Sequence, residues 1–139
     1  MHVLLVEDDP FHAQVVEEAL KRALHKVDTE VVACEKRFLQ LIDDGKRTWD
    51  LVILDQMIPW TTDEDPDPYT DAPEDGPRRA GSRCYQRLMK GPAPAPVIVF
   101  FTNLEPQAIP EGAEYVRKKA DPKLDSLIGR IRELTAKRR

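Results

Sequence analysis

Asp50-Leu51-Val52-Ile53-Leu54-Asp55-Gln56-Met57-Ile58-Pro59 is the stretch on which the fold turns. Leu51 to Leu54 form a short continuous apolar run, the pattern of a strand covered on both faces rather than the alternation of a half-exposed one. The run stops abruptly at Asp55, and Met57-Ile58-Pro59 follows. Upstream, Val3-Leu4-Leu5-Val6 has the same pattern and ends as abruptly in Glu7-Asp8-Asp9. Downstream, Pro96 to Phe101 makes a further apolar run, Tyr115-Val116 a shorter one, and Thr29 to Ala33 fits between the first two. Five strands are therefore expected.

Helical spacing fills the gaps. Asp9 reads as an N-cap with Pro10 at the first helical position, and Val16, Ala19, Leu20, Ala23 and Leu24 follow at intervals of three and four. Cys34, Phe38, Leu41 and Ile42 mark a second helix that Gly45 closes. Tyr85, Leu88 and Met89 mark a third, ended by Gly91-Pro92, and Leu124, Leu127, Ile128, Ile131 and Leu134 mark the last. Strands alternating with helices imply βαβ units, a parallel sheet and helices on both of its faces, the α/β doubly wound class.

The 139 residues, 41% hydrophobic and 33% charged, suit one soluble domain with a sizeable core. No apolar run reaches the length of a membrane span, and the first residues lack the basic start and long apolar stretch of a signal peptide, so the cytoplasm is the expected compartment. Cys34 and Cys84 are too few for a disulfide framework and read as small buried hydrophobes. A net charge of −4 argues against nucleic acid as the main partner. The basic end (Arg130, Arg132, Lys137, Arg138, Arg139) is read as a solvated helix terminus favourable to the dipole. His2, His12 and His25 lie on separate elements without ligand spacing.

One segment breaks the rhythm. Residues 60–80 carry Asp63, Glu64, Asp65, Asp67, Asp71, Glu74 and Asp75 among Pro66, Pro68, Pro73 and Pro77. Repelling charges and missing backbone donors predict neither helix nor strand there. A long loop placed so soon after Asp55 is expected to overhang or flank whatever Asp55 does.

In open parallel sheets ligands bind beyond the carboxyl ends of the strands. Glu7, Asp8 and Asp9 follow the first strand, Asp55 the third, Thr102-Asn103 the fourth and Lys118-Lys119 the fifth. Converging carboxylates cannot all stay ionised without a compensating cation, and an oxygen-only ligand set suits Mg²⁺. The constellation predicts a Mg²⁺ site with a nucleophilic aspartate, a hydroxyl and a lysine, the parts needed for phosphoryl transfer to a carboxylate. Asp9 is assigned to the helix cap, and Lys119 to a solvated position beside Lys118.

Val3 to Pro10 and Asp50 to Pro59 resemble the first and third strands of response-regulator receiver domains, with the residues that follow them; Val97 to Thr102 resembles the fourth strand and Glu114 to Lys118 the fifth. The resemblance implies one receiver domain over residues 1–139, interrupted by a loop at about 60–80, with a flavodoxin-like sheet of order 2-1-3-4-5. It implies Asp55 as phosphoacceptor, and Glu7, Asp8, Asp55 and the Met57 backbone carbonyl as Mg²⁺ ligands. Thr102 would be the switch hydroxyl, Tyr115 the switch aromatic, and Lys118 the lysine that binds a phosphoryl oxygen. The implied donor is a sensor histidine kinase or a histidine phosphotransfer protein, with a downstream protein partner and neither nucleic acid nor membrane.

Two features depart from that family. One is the acidic insertion. The other is the stretch between Thr102 and Tyr115, where Pro106, Pro110 and Gly112 leave the fourth helix short or lost, since proline inside a helix costs about 3 kcal/mol. Lys119 also stands where a proline often follows the lysine. The chain closes soon after the last helix, which suggests a stand-alone member without an output domain. The alternative reading is a degenerate receiver that binds a partner constitutively, favoured by the two departures and opposed by the complete Glu7, Asp8, Asp55, Thr102 and Lys118 set. An aspartate-nucleophile hydrolase is disfavoured by Met57, where such enzymes carry a second aspartate. A flavin protein is disfavoured because no Gly- or Ser/Thr-rich loop follows the first strand.

Overall fold

The two apolar runs lie side by side in parallel, Val3 opposite Leu51 and Val6 opposite Leu54. They belong to a computed structural model that describes residues 1–67 and 70–138. Pro68 of the insertion, Tyr69 and Arg139 of the basic end fall outside the described residues. The elements run β1 (His2–Val6), α1 (Pro10–Ala23), β2 (Asp28–Val32), α2 (Glu35–Asp44), β3 (Leu51–Leu54), α3 (Ala80–Met89), β4 (Val97–Thr102), β5 (Glu114–Arg117) and α4 (Asp125–Ala136). All sheet pairs are parallel and the strand order is β2-β1-β3-β4-β5, as expected from the sequence.

Successive strand residues face opposite ways, so each central strand feeds two cores. Val3, Leu5, Leu51, Ile53, Val97, Val99 and Phe101 pack against α1 and α4 through Val16, Leu20, Leu127 and Ile131. Leu4, Val6, Val52, Leu54, Ile98 and Phe100 pack against α2 and α3 through Phe38, Cys84 and Leu88. This double burial is why the runs in β1, β3 and β4 contain no polar residue before their last position. Both cysteines are buried, and burial raises the Cys84 thiol pKa, helped by nearby Glu35.

The helix signals hold in detail. Asp9 Oδ1 accepts from the amides of Phe11 (2.9 Å) and His12 (3.3 Å), and Gly45 closes α2 at φ 65°. The stretch after Thr102 keeps only a single 3₁₀ turn, Pro106–Ala108, so the fourth helix of the expected pattern is reduced to a turn. Four α-helices therefore cover the sheet among the described residues.

Other expectations need correction. Segment 60–80 is not free of helix at its far end: Pro77–Arg79 form a 3₁₀ turn that leads into α3 at Ala80. Pro77 occupies the first position of that turn, where a missing amide donor costs nothing. The strands also begin or end slightly away from the apolar runs, since β2 starts at Asp28 and β4 includes Thr102.

The insertion is held to the body by ion pairs. Lys36 on α2 reaches Asp65 at 2.7 Å. Arg83 on α3 grips buried Glu35 with two bonds (2.8 and 2.7 Å), and also takes Asp75 and the Gly76 carbonyl. The carbonyls of Pro59 and Trp60 accept the first free amides of α2, those of Glu35 and Lys36. Two of the seven acids are thus turned toward cations on α2 and α3. Asp63, Glu64, Asp67, Asp71 and Glu74 are exposed and have no ion-pair partner among the described residues.

Candidate functional site

The parallel ladder continues one residue past β1 and β3. The Glu7 amide donates to Val32 O (3.0 Å) and the Asp55 amide to Val6 O (3.1 Å). These bonds set both carboxylates on the same sheet edge, at the point where strand order reverses on either side of β1. Thr102 comes from the end of the neighbouring β4 and Lys118 from the turn directly after β5.

Their side chains meet. Lys118 Nζ donates to Asp55 Oδ2 at 2.8 Å and also bonds Glu7 Oε1. Thr102 Oγ1 donates to the other Asp55 oxygen at 2.7 Å, and the Met57 amide lies 3.3 Å from that oxygen. Glu7, Asp8 and Asp55 each offer a carboxylate oxygen within 4.8 Å of the others'. Glu7 is buried, Asp55 half-buried and Asp8 exposed. A cleft of about 400 Å³ opens over Asp8, Asp55, Met57 and Thr102, walled by Pro59 and Pro77 from the two ends of the insertion.

Burial raises the pKa of Glu7, and the neighbouring Asp55 adds to this against the opposing pull of Lys118. For Lys118, burial works to lower the pKa, but Asp55 and Glu7 together overcome it and raise it, so the ammonium stays protonated. Three carboxylates therefore face one ammonium. The unmatched negative charge, the oxygen-only donors and the partial exposure through Asp8 fit a hard divalent cation such as Mg²⁺.

The structure thus brings Glu7, Asp8, Asp55, Thr102 and Lys118 together, with Met57 at the rim. Tyr115 stands apart: its hydroxyl donates to Leu104 O at 2.8 Å, and its ring packs on the α2/α3 core. Asp9 serves the α1 cap. Lys119 is exposed, its amide taken by Asn103 Oδ1. His12 Nδ1 lies 3.6 Å from Asp9 and 4.0 Å from Glu7, at the margin of the cluster.

The sequence reading passed over Gln56, whose side chain is fully buried beside Asp55 and bonds Ser82 and Ala108. It also passed over Gly81, whose amide donates to Gln56 O at 2.9 Å. The available signal was weak: a polar residue following a buried strand, and a Gly-Ser pair opening a helix.

A scan against protein-family models finds no match, and a search of curated proteins finds none either. Solved structures do match. The BeF3-activated receiver domain of Klebsiella pneumoniae RstA superposes with a TM-score of 0.66 at 24% identity, covering 97% of this chain and 98% of that one. The response regulatory domain of mrkE from the same species gives 0.67 at 18%, covering 99% of both chains. The receiver domain of Francisella response regulator 1452 gives 0.65 at 19%, covering 99% and 98%. The chain has the fold of response-regulator receiver domains over nearly its whole length. At these identities the likeness is one of fold, and the acidic cluster at the sheet edge lies where ligands bind in this class of open parallel sheet.

Proposed function

We propose that the chain is a single receiver domain, residues 1–139 with segment 60–80 as its insertion, that takes a phosphoryl group on Asp55 and signals by phosphorylation-dependent protein binding. The observation that carries this reading is the pairing of both Asp55 oxygens, one with the Lys118 ammonium (2.8 Å) and one with the Thr102 hydroxyl (2.7 Å), within a cluster of three carboxylates.

The donor is the phosphohistidine of a sensor histidine kinase or a histidine phosphotransfer protein. An Asp55 oxygen attacks phosphorus, an O–P bond forms, the N–P bond breaks, and the imidazole leaves with the electron pair. Lys118 offsets charge on the carboxylate and on the transferred oxygens. Thr102 then turns its hydroxyl from Asp55 Oδ1 to a phosphoryl oxygen. Glu7, Asp8, Asp55 and the Met57 carbonyl would hold Mg²⁺, which supplies further charge compensation on the phosphoryl oxygens. Tyr115 acts as the switch aromatic, through its bond to Leu104. The chain catalyses only its own phosphorylation and dephosphorylation, in the cytoplasm. No described helix is long and apolar enough to cross a membrane.

A second reading is favoured by one observation, the replacement of the fourth helix by a single turn: a receiver-fold module that binds its partner without being phosphorylated. Mg²⁺-dependent beryllofluoride binding followed by NMR separates the two. Binding lost in Asp55→Asn supports the phosphoacceptor, and wild-type protein that ignores beryllofluoride supports the constitutive module. Labelling of Asp55→Asn by acetyl phosphate at the wild-type level would overturn the assignment of Asp55.

A further inference from the structure

Gln56 follows Asp55 and its side chain is fully buried. A buried amide is tolerated only when its polar atoms find partners, and here both ends do. Gln56 Oε1 accepts the Ser82 amide at 2.6 Å, while Nε2 donates to Ser82 Oγ at 2.6 Å and to the Ala108 carbonyl. One side chain thus joins the end of β3, the first turn of α3 and the Pro106–Ala108 turn. Gly81 permits the approach: a Cβ there would sit 2.6 Å from both Asp55 O and Gln56 Cα.

The residues flanking the Pro106–Ala108 turn are held by Tyr115 at Leu104 O, by Arg117 at Glu105 and by packing of Ile109 on the core, while the bond from Gln56 to Ala108 O ties the turn itself to the end of β3. The turn's own hydrogen bonds are local, Ala108 N to Glu105 O and Ile109 N to Pro106 O. At the near end of the segment, Thr102 Oγ1 bonds Asp55 and receives the Leu104 amide at 3.4 Å. At the far end stands Gln56, covalently next to Asp55. The segment that replaces the fourth helix is therefore tied at both ends to the same aspartate. The opposite branch of the network reaches α3, whose Arg83 holds the insertion through Asp75.

We propose that Gln56 is a positioning residue that couples Asp55 to the Pro106–Ala108 turn and to the first turn of α3, so that phosphorylation moves both together. This rests on the phosphoacceptor reading and adds the route by which the signal leaves the site. Buried hydrogen-bond networks have discrete arrangements, so a shift of the Asp55 backbone is passed to Ala108 and Ser82 through one amide. An apolar residue of similar size fills the space and transmits to neither.

The test is NMR of the full chain with Mg²⁺, before and after beryllofluoride. In wild type the Gln56 Nε2 resonances shift along with the backbone amides of Thr102, Ser82 and Ala108. In Gln56→Leu the Thr102 shift persists and those of Ser82 and Ala108 are lost. Gln56→Glu keeps an acceptor for the Ser82 amide but sets a carboxylate oxygen against the Ala108 carbonyl, so it loses the Ala108 response and retains that of Ser82. Wild-type protein in which Thr102 responds but the Gln56 side chain does not overturns the coupling, and this holds whether or not either variant folds. A Gln56→Leu protein with undiminished Ser82 and Ala108 shifts overturns it as well. A wild type without any Thr102 response defeats the phosphoacceptor reading instead, and the coupling with it.

Discussion

The Lys118 ammonium lies 2.8 Å from Asp55 Oδ2 and at the same time bonds Glu7, so one cation holds the acids that end β1 and β3 at the same point. Such an ammonium has two effects of opposite sign on the ligands of the site. On the proposed reading it would stabilise a phosphoryl group on Asp55, and it would repel a second cation from the same carboxylates.

Lys118→Ala separates these effects. Removing a fixed positive charge from the reacting centre should slow labelling of Asp55 by acetyl phosphate about a hundredfold. The same change should tighten Mg²⁺ binding about tenfold, because the carboxylate cluster loses its internal counter-ion. Mg²⁺ titration by NMR beside a labelling time course checks both. Weaker Mg²⁺ binding in the variant would contradict the electrostatic account of the site.

Two glycines in helices make a matched comparison. Gly81→Ala places a methyl group 2.6 Å from Asp55 O and Gln56 Cα, backbone atoms that cannot yield cheaply, and should cost about 1–3 kcal/mol. Gly129 lies on the exposed face of α4, with nothing within 4 Å of an added Cβ, so Gly129→Ala should gain about 0.5–1 kcal/mol. Urea unfolding of the two variants reads the difference. Equal midpoints would mean that the approach of α3 to Asp55 is looser than the structure has it.

The fold was legible where burial is two-sided. β1, β3 and β4 feed both cores, so they appear as uninterrupted apolar runs, and the acids that end β1 and β3 stand out against them. β2 lies at the sheet edge and is only partly buried, which is why its limits shift by a residue from the apolar pattern. Pro77 was read as a breaker because proline usually is one, although the first position of a helical turn accepts it. The anchoring of the insertion was not readable, since Lys36 meets Asp65 across 29 residues, and Arg83, which takes Asp75 only 8 residues away, is itself held in place by Glu35 across 48. Gln56 was hidden for the same reason: its partners Ser82 and Ala108 lie 26 and 52 residues away, and a lone glutamine carries no mark of burial.

Asp65 offers a pH-dependent handle on the insertion. The Lys36 ammonium, with the Asp67 amide and the Thr61 hydroxyl, lowers its pKa from the ordinary 3.8 to about 2. A carboxylate whose folded pKa lies below its unfolded value favours the folded state above the unfolded pKa, and that contribution is lost as pH falls through about 2. The Lys36–Asp65 tether should therefore persist through mildly acid conditions. In Lys36→Met the Asp65 carboxyl should titrate at clearly higher pH than in wild type, with the Asp67 amide and the Thr61 hydroxyl still acting to lower it, as followed by its carboxyl ¹³C shift. An Asp65 that titrates identically in wild type and variant would remove Lys36 as the cause.

The remaining acids of the insertion bear on which donors reach Asp55. Lys36 and Arg83 take up Asp65 and Asp75, which leaves Asp63, Glu64, Asp67, Asp71 and Glu74 exposed on a segment whose two ends wall the Asp55 cleft. Their field repels a small anionic donor such as acetyl phosphate and is screened beyond about 10 Å at 0.1 M salt. Replacing all five with the matching amides should raise the acetyl phosphate labelling rate severalfold at low ionic strength and leave it nearly unchanged at high ionic strength. Because the anchoring residues are untouched, the loop should keep its place, with the Asp65 and Arg83 resonances as internal controls. A rate that rises equally at both ionic strengths would point to altered loop packing instead of charge, and a rate unchanged at low salt would show that the insertion's field does not reach Asp55.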